Sequence, residues 1–282
     1  MDIAVIAVVG AGTMGGGIAQ MFAEKGFTTR LWDVNPALTA KGVAAIRGRM
    51  AKSVEKGSLT AAAAADSFAR LHPAADLAEL ADADLVIEAI YEDVAAKTAL
   101  YRQLEGVVSA QTLIGTNTSS LSVTELSGAL ARPERFLGLH FFNPPTRLAL
   151  VEVITTPAFP AARADGVIAL LKRCGKEPVT VKDSPGFIVN RLLLPFINEA
   201  ARLVDAGIAT PADIDAAMRL GTLHPAGPLQ VADLIGLDIC CDILTKLADS
   251  LGNPTYRPAA ALTSRVAAGQ IGRKSGAGFY TY

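Results

Sequence analysis

The sequence predicts a doubly wound α/β domain that contains an inserted helical hairpin and is followed by an all-helical C-terminal domain. Short β-branched runs alternate with alanine-rich stretches in the first half, a pattern typical of a parallel sheet covered by helices. Residues 37–70 instead carry two helical stretches, interrupted at 57–60 (GSLT). Beyond the turn at 182–186 (KDSPG) the patterns are helical. We therefore expect a first domain of residues 1–185 and a second of residues 186–282.

Five strands are expected in the first domain, each short and largely apolar on both faces, as in a sheet that is buried on both sides. They cover residues 3–9, 28–32, 84–90, 112–116 and 136–142. In the second domain, Thr210 followed by Pro211 predicts the start of a helix, and Gly221 predicts its end. Another apolar helical stretch runs from near Gly236 to Gly252.

Composition narrows the kinds of partner that we expect. With 26 basic and 27 acidic residues, the chain lacks the strong positive charge of a nucleic-acid-binding protein. No run approaches the ~20 apolar residues of a membrane span. The three cysteines are odd in number and lack metal-ligand spacing. We therefore expect a soluble, cytoplasmic protein with no nucleic acid, membrane or metal as a partner.

A glycine-rich loop, Gly10 to Gly15 (GAGTMG), joins the first predicted strand to a helix at about 13–25. Glycines here let the backbone approach a pyrophosphate, whose charge is stabilised by the N–H groups at the helix start. Asp33 lies 23 residues after Gly10, near the ~20-residue offset of a ribose-binding acid. A carboxylate there favours NAD over NADP, although Arg30 complicates that preference. The alternative interpretation is an ordinary tight turn with a surface aspartate.

Three histidines are candidates for proton transfer, because their ordinary pKa lies near neutral pH. His72 precedes a proline in a predicted connection, and His224 precedes a proline between helices of the second domain, where it suits a turn or packing role. His140 is close to the end of the strand 136–142. Ligands of doubly wound sheets bind at the carboxyl ends of strands, which favours His140 as a base.

Glu152 lies in the next apolar run, 148–154. A carboxylate among apolar neighbours is costly to bury unless it is paired. The histidine twelve residues earlier, His140, is a natural partner, because a carboxylate would fix the imidazole tautomer and stabilise the imidazolium. The alternative is a surface glutamate on an edge strand.

Ser119 follows the strand 112–116, at an end of the sheet where ligands bind. A capping role suits Ser122 better, because Glu125 follows it at the spacing of a capping box. Asn190 stands among apolar positions at the start of the second domain's first helix, where its amide has the alternative of bonding the backbone.

Basic residues mark the insertion: Arg49, Lys52 and Lys56 are spaced so that they share one helix face. A stripe of this kind is usually a solvated face. On residue types alone that interpretation is preferred here.

Several motifs occur in order along the whole chain. They are GAGTMGGGIAQ from Gly10, DLVIEA from Asp84, NTSSL from Asn117, HFFNP from His140, LVEV from Leu150, PGFIVNR from Pro185, HP and GP at 224–228, GLD from Gly236 and GRKSGAGFY from Gly272. Together they resemble the 3-hydroxyacyl-CoA dehydrogenase family, especially its short bacterial 3-hydroxybutyryl-CoA dehydrogenases. The resemblance implies a Rossmann-type fold and the reversible, NAD-dependent oxidation of an L-3-hydroxyacyl-CoA to the 3-ketoacyl-CoA.

The same resemblance implies roles for individual residues. His140 would be the base, Glu152 its partner, and Ser119 and Asn190 would hold the substrate. Lys52 and Lys56 would meet the phosphates of the acyl-CoA, which reverses the preference for a solvated face. The cofactor NAD would be bound by Gly10, Gly12, Thr13, Met14, Gly15, Asp33, Glu92, Lys97, Asn117, Ser119, Asn143 and Lys274. On residue types alone, Glu92 and Lys97 would be assigned to a solvated helix face.

Two departures from the family pattern concern specificity. Residues 146–149 (TRLA) stand where a Met-Lys pair is common, and Ala226 replaces a usual methionine. Arg147 suggests the hypothesis of a substrate with a terminal carboxylate, such as a 3-hydroxyadipyl thioester.

Two other functions are considered. One is a β-hydroxyacid dehydrogenase acting on free acids, in which a lysine of the helical domain is the base. The other is a non-catalytic dinucleotide-binding protein. The apolar content of the second domain also predicts a homodimer formed through it.

Overall fold

A computed structural model describes residues 3–282 of the chain. The chain divides into two compact units, one ending at Ser184 and the other comprising Pro185–Tyr282. The first unit contains a single eight-stranded sheet flanked by helices, and the second is helical. The predicted fold class is confirmed. No helix among the described residues is long and apolar enough to cross a membrane.

The sheet has the strand order β3-β2-β1-β4-β5-β6-β7-β8. Its strands are β1 Val5–Val9, β2 Thr28–Trp32, β3 Leu71–Pro73, β4 Leu85–Glu88, β5 Leu113–Thr116, β6 Phe136–Phe141, β7 Leu150–Thr155 and β8 Glu177–Lys182. All neighbouring strands are parallel except β6 and β7, which are antiparallel. Each of the five predicted strands is present, most of them shortened at their ends. His72, expected in a connection, lies in the short strand β3.

Six helices belong to the first unit: α1 Thr13–Glu24, α2 Pro36–Glu55, α3 Ala61–Ala69, α4 Val94–Val107, α5 Val123–Ser127 and α6 Ala161–Arg173. The pair α2–α3 is the predicted helical hairpin. It is fixed to α1 by Arg49, whose guanidinium donates to the Gln20 side chain at 2.7 Å and to the Gly16 carbonyl at 3.1 Å. Gly42 permits the close packing, because a Cβ there would lie 2.7 Å from the Ala11 carbonyl oxygen.

Five helices form the second unit: α7 Val189–Asp205, α8 Pro211–Thr222, α9 Pro228–Ile235, α10 Leu237–Leu251 and α11 Ala260–Ala267. Thr210 caps α8 as predicted, because its hydroxyl accepts from the Asp213 N–H at 3.2 Å. The predicted end of α8 at Gly221 is wrong, since the helix continues to Thr222 and Leu223 adopts the left-handed capping conformation. Gly252 ends α10 in that conformation, as glycine allows.

Two buried aspartates attach the C-terminal segment to the helices of the second unit. Asp233 on α9 accepts from the Phe279 and Tyr280 N–H groups, both at 2.9 Å. Asp215 on α8 accepts from the Tyr280 hydroxyl at 2.7 Å and from the Leu229 N–H at 2.8 Å. These bonds satisfy carboxylates that would be costly to bury unpaired.

Candidate active site

The glycine loop after β1 is tightly packed on one side and open on the other. Gly10 has φ +99°, and a Cβ on it would lie 2.6 Å from the Ala89 carbonyl oxygen. A Cβ on Gly15 would lie 1.8 Å from the Gly10 carbonyl oxygen, whereas one on Gly12 would meet nothing within 4 Å. No side chain of the described residues caps the start of α1 at Thr13. Backbone donors beside open space fit a dinucleotide pyrophosphate.

Asp33 lies beside this loop, directly after β2. Its carboxylate accepts from the Ala11 N–H at 2.9 Å and from the Asn35 N–H at 3.0 Å. Arg30, which complicated the preference for NAD, is bound elsewhere, with its Nε 2.7 Å from Asp82 Oδ1. The acid therefore stands at the edge of the glycine loop and is not paired directly with that arginine. This arrangement fits the hydroxylated ribose of NAD.

His140 and Glu152 face each other across the antiparallel pair β6–β7, where their positions are in register. His140 Nδ1 lies 2.7 Å from Glu152 Oε2. The histidine is 6% exposed and the glutamate 1% exposed. The interpretation of Glu152 as a surface residue on an edge strand is therefore wrong, because β8 continues the sheet and the carboxylate is buried against the imidazole.

The loop after β5 carries Ser119, which is bonded to a carboxylate. Glu92 Oε1 accepts from the Ser119 N–H at 2.7 Å and from the Ser119 hydroxyl at 3.2 Å. The Thr118 hydroxyl donates to the same oxygen at 2.9 Å. Ser122, three residues after Ser119, caps α5 by accepting from the Glu125 N–H at 3.1 Å, so the predicted structural role of that serine is confirmed.

Beneath this loop lies a buried polar group that sequence reasoning missed. Glu88, at the end of β4, is fully buried and accepts from Lys97 Nζ at 2.5 Å and from the Tyr101 hydroxyl at 2.6 Å. The Thr116 hydroxyl and the Ile90 N–H also donate to it, both at 2.8 Å. Burial, together with the neighbouring Glu88 charge, raises the pKa of Tyr101, which keeps the phenol protonated as a donor.

Lys97 differs from the sequence-based interpretation of its helix face. Only 1% of its side chain is exposed, so it does not belong to a solvated face. Its ammonium lies between two carboxylates, at 2.5 Å from Glu88 Oε1 and 3.5 Å from Glu92 Oε2. A glutamate that ends an apolar strand, as Glu88 does, was the available signal for such a partner.

Asn117 and Asn143 stand at the carboxyl ends of β5 and β6. The Asn117 side chain accepts from the Phe141 N–H at 2.9 Å, which joins the two strand ends. Asn143 is exposed, and its peptide bond to Pro144 is cis. The turn that follows is held by Lys176, a buried lysine whose ammonium donates to the Leu148 carbonyl at 2.8 Å.

The basic residues of α2 do not form one continuous face. Lys52 and Lys56 are exposed at the end of the helix. Arg49 is half-buried and engaged with α1, and burial lowers the pKa of its guanidinium. The expectation that all three residues share an open face is therefore wrong for Arg49, while both lysines are accessible to an anion.

The remaining predicted site residues lie in the second unit. Asn190 is the second residue of α7. Lys274 follows Gly272 near the C-terminus, and its ammonium donates to Asp238 Oδ2 at 2.7 Å. His224 packs its ring against Phe196, with 5.5 Å between the centroids, in agreement with the predicted packing role.

Comparison with known proteins covers both units. Residues 5–184 match a family model described as the NAD binding domain of 3-hydroxyacyl-CoA dehydrogenase, and residues 186–282 match the C-terminal domain of the same family. A probable 3-hydroxybutyryl-CoA dehydrogenase of Bacillus subtilis is 45% identical over 282 residues, covering 100% of this chain and 98% of that protein.

Solved structures agree with this match. The crystal structure of a (S)-3-hydroxybutyryl-CoA dehydrogenase from Ralstonia eutropha superposes with a TM-score of 0.96 at 42% identity, covering 100% of this chain and 99% of the other. A 3-hydroxyadipyl-CoA dehydrogenase of Escherichia coli is 38% identical over 283 residues, which cover 100% of this chain and 60% of that longer protein.

Proposed function

We propose that this chain, which belongs to the 3-hydroxyacyl-CoA dehydrogenase family, uses NAD to oxidise short-chain L-3-hydroxyacyl-CoA substrates such as 3-hydroxybutyryl-CoA reversibly to the 3-ketoacyl-CoA. The buried His140–Glu152 pair supports the chemistry most directly, because alcohol oxidation requires a base for the hydroxyl proton. The high identity to relatives named for the butyryl substrate supports the short-chain preference.

His140 is the proposed base. With Nδ1 engaged by Glu152, the other ring nitrogen, Nε2, is the one that takes the substrate's hydroxyl proton. The carboxylate fixes this tautomer and stabilises the imidazolium that forms. In the reverse direction the same imidazolium returns the proton to the ketone oxygen.

Ser119 and Asn190 are proposed to hold the substrate's 3-oxygen. Ser119 follows β5 at the carboxyl edge of the sheet, and His140 is the second-last residue of β6, which supports its assignment. Asn190 is assigned by the family resemblance. Oriented polar side chains at the reacting oxygen stabilise the charge that develops on it.

NAD, when bound, supplies the hydride-accepting ring. The loop residues Gly10, Gly12, Thr13, Met14 and Gly15 are proposed to bind its pyrophosphate, and Asp33 its ribose. The other proposed contacts are Glu92, Lys97, Asn117, Ser119, Asn143 and Lys274. The open side of Gly12 and the uncapped start of α1 support the first group.

Lys52 and Lys56 are proposed to bind the phosphates of coenzyme A. Both are exposed at the C-terminal end of α2, Lys52 in its last turn and Lys56 as its capping residue, four positions apart. Substituting both by Ala should raise the KM for the acyl-CoA and leave the KM for NAD unchanged. Equal KM values in the wild type and the variant would contradict the assignment.

The proposed activity is tested by following NADH consumption with a series of 3-ketoacyl-CoA substrates, and by repeating the series with NADPH. We expect the highest kcat/KM with acetoacetyl-CoA and NADH. Turnover of the corresponding free 3-keto acids at comparable kcat/KM would instead favour a β-hydroxyacid dehydrogenase.

A dicarboxylic substrate is the second candidate. Arg147 is exposed in the turn after β6, and the related E. coli protein is named a 3-hydroxyadipyl-CoA dehydrogenase. A guanidinium there could bind a terminal carboxylate. The test is the ratio of kcat/KM for 3-hydroxyadipyl-CoA to kcat/KM for 3-hydroxybutyryl-CoA. This ratio should fall in Arg147→Ala, and a ratio equal to that of the wild type rejects this candidate.

A homodimer formed through the second unit is also proposed. Three leucines of this unit are strongly exposed: Leu220 by 79%, Leu223 by 87% and Leu234 by 64%. Leu220 and Leu223 are three residues apart, and contiguous patches of exposed apolar side chains mark protein–protein interfaces. Sedimentation at micromolar concentration should give a dimer, and a monomer would refute the proposal.

A cytoplasmic location is proposed on the cysteines. Cys174, Cys240 and Cys241 are free thiols in the structure. Unpaired thiols are the ordinary state in a reducing compartment. Fractionation of the host cells should recover the protein with the cytoplasmic fraction, and recovery elsewhere would refute it.

A further inference from the structure

The ammonium of Lys97 is shared unequally between two carboxylates. It contacts Glu88 Oε1 at 2.5 Å and lies 3.5 Å from Glu92 Oε2. The side chains of Glu88 and Lys97 are almost completely buried, whereas 28% of the Glu92 side chain is exposed. The closer contact is therefore the buried one, and the longer contact reaches toward the carboxyl edge of the sheet.

Glu92 is in turn divided between two sets of partners. One of its oxygens, Oε2, faces Lys97, while Oε1 accepts from the Ser119 N–H and hydroxyl. The Thr118 hydroxyl donates to both oxygens, at 2.9 and 3.0 Å. The position of Glu92 therefore depends on two competing interactions: its ion pair with the Lys97 ammonium and its hydrogen bonds with Ser119.

Glu88 limits how strongly the Lys97 ammonium attracts Glu92. Its carboxylate neutralises Lys97 and is itself held by three further donors: Tyr101, Thr116 and the Ile90 N–H. Without this charge the buried ammonium would be left with Glu92 as the carboxylate within 4 Å among the described residues. An unpaired buried charge is strongly unfavourable, so Lys97 would draw Glu92 inward and away from Ser119.

We propose that Glu88 and Lys97 are positioning residues, which hold Glu92 where it orients Ser119 for the substrate's 3-oxygen. The inference rests on the proposed role of Ser119 at the substrate. It assigns the buried ion pair a function in the reaction besides stabilising the fold. Neither residue needs to touch the substrate.

The central test is Glu88→Gln, which removes the charge and preserves the size of the side chain. We expect kcat/KM for the 3-ketoacyl-CoA to fall by about 10- to 100-fold, because small displacements of a positioning group have effects of this size. The KM for NADH, measured in parallel, reports any direct effect on the cofactor site.

Lys97 stays unchanged in the test variants, because it is also a proposed NAD contact. Tyr101→Phe is the matched control, because it deletes a 2.6 Å bond to the same carboxylate and leaves its charge. We expect Tyr101→Phe to leave kcat/KM near the wild-type value.

The proposal is overturned by either of two results: unchanged kcat/KM in Glu88→Gln, or equal losses in Glu88→Gln and Tyr101→Phe. Melting temperatures identify the merely structural effects. If Glu88→Gln does not fold, Glu88→Asp replaces it, since the shorter side chain retracts the charge from Lys97. Ser119→Ala is measured alongside: a normal kcat/KM in that variant rejects the role of Ser119 itself, whatever Glu88→Gln does.

Discussion

His140 Nδ1 and Glu152 Oε2 lie 2.7 Å apart across the one antiparallel strand pair of the described sheet. Removing the imidazole in His140→Ala should lower kcat by about 10²- to 10⁴-fold, the usual contribution of a positioned base. NADH binding, measured by fluorescence titration, should be unchanged, because the substitution does not alter the glycine loop from Gly10 to Gly15. Near-normal turnover in this variant would exclude His140 as the base.

Glu152→Gln tests the charge of the partner and keeps its shape. The amide can still bond the imidazole, but it stabilises the imidazolium less than a carboxylate does, so kcat should fall while the KM for the acyl-CoA changes little. A fall in the melting temperature with unchanged kcat would indicate that Glu152 serves only the fold. His224→Gln, at the packing histidine of the second unit, is the control and should retain its kcat.

Two glycines of the loop should behave differently. Gly12→Ala should retain the melting temperature, because a Cβ there meets nothing within 4 Å and φ is −70°. It should nevertheless weaken NADH binding, since the methyl occupies the open side of the loop. Gly15→Ala should lower the melting temperature, because its Cβ would lie 1.8 Å from the Gly10 carbonyl oxygen. Normal NADH affinity in Gly12→Ala would place the pyrophosphate elsewhere.

Asp33→Asn should weaken the preference for NAD over NADP. The amide oxygen can still accept from the Ala11 N–H, which holds the loop, but the negative charge that repels a 2′-phosphate is gone. The measurement is the ratio of kcat/KM with NADH to that with NADPH. A ratio equal to that of the wild type would show that Asp33 does not set the cofactor preference.

Glu105 should contribute to stability in a pH-dependent way. Its pKa is lowered: burial opposes ionisation, but the Ala131 N–H and the Arg135 guanidinium donate to the carboxylate at 2.8 and 2.9 Å and outweigh it. A lowered pKa in the folded state stabilises the protein above the ordinary value of 4.5, and this stabilisation is lost as the pH falls below it.

Glu105→Gln should therefore reduce the free energy of unfolding by about 1–3 kcal/mol at neutral pH. The difference from the wild type should shrink as the pH falls below 4.5, as followed by urea denaturation. Glu55→Gln, at an exposed position on α2, should have no effect at either pH. A deficit in Glu105→Gln that persists undiminished in acid would contradict the assignment.

Local signals explain the parts of the fold that were predictable. The loop at Gly10, the helix start at Thr210 and the helix end at Gly252 depend on neighbouring residues only. Strand β8 was missed because most of its side chains are exposed, so it lacks the apolar run of a buried strand. The end of α8 was misplaced because leucine, not glycine, adopts the left-handed cap.

The pairing of His140 with Glu152 was predictable, because a carboxylate in an apolar run requires a partner. The site was not predictable where a partner comes from a distant segment. Arg49 was assigned to an open face because its acceptor, Gln20, lies 29 residues away on α1. Lys97 has the sequence context of a surface lysine, because its partner Glu88 lies on a different element, the strand β4.

The register of β6 against β7 constrains the paired residues of the two strands but not the connection between them in the same way. Residues 138–141 and 151–154 are held in this pairing, because a slip by one position would turn each side chain to the opposite face of the sheet. Residues 142–149, between the strands, lie outside this pairing, although Lys176 holds the Leu148 carbonyl. Under the proposed function, an exposed position of this connection such as Arg147 can change without disturbing the pairing of His140 with Glu152.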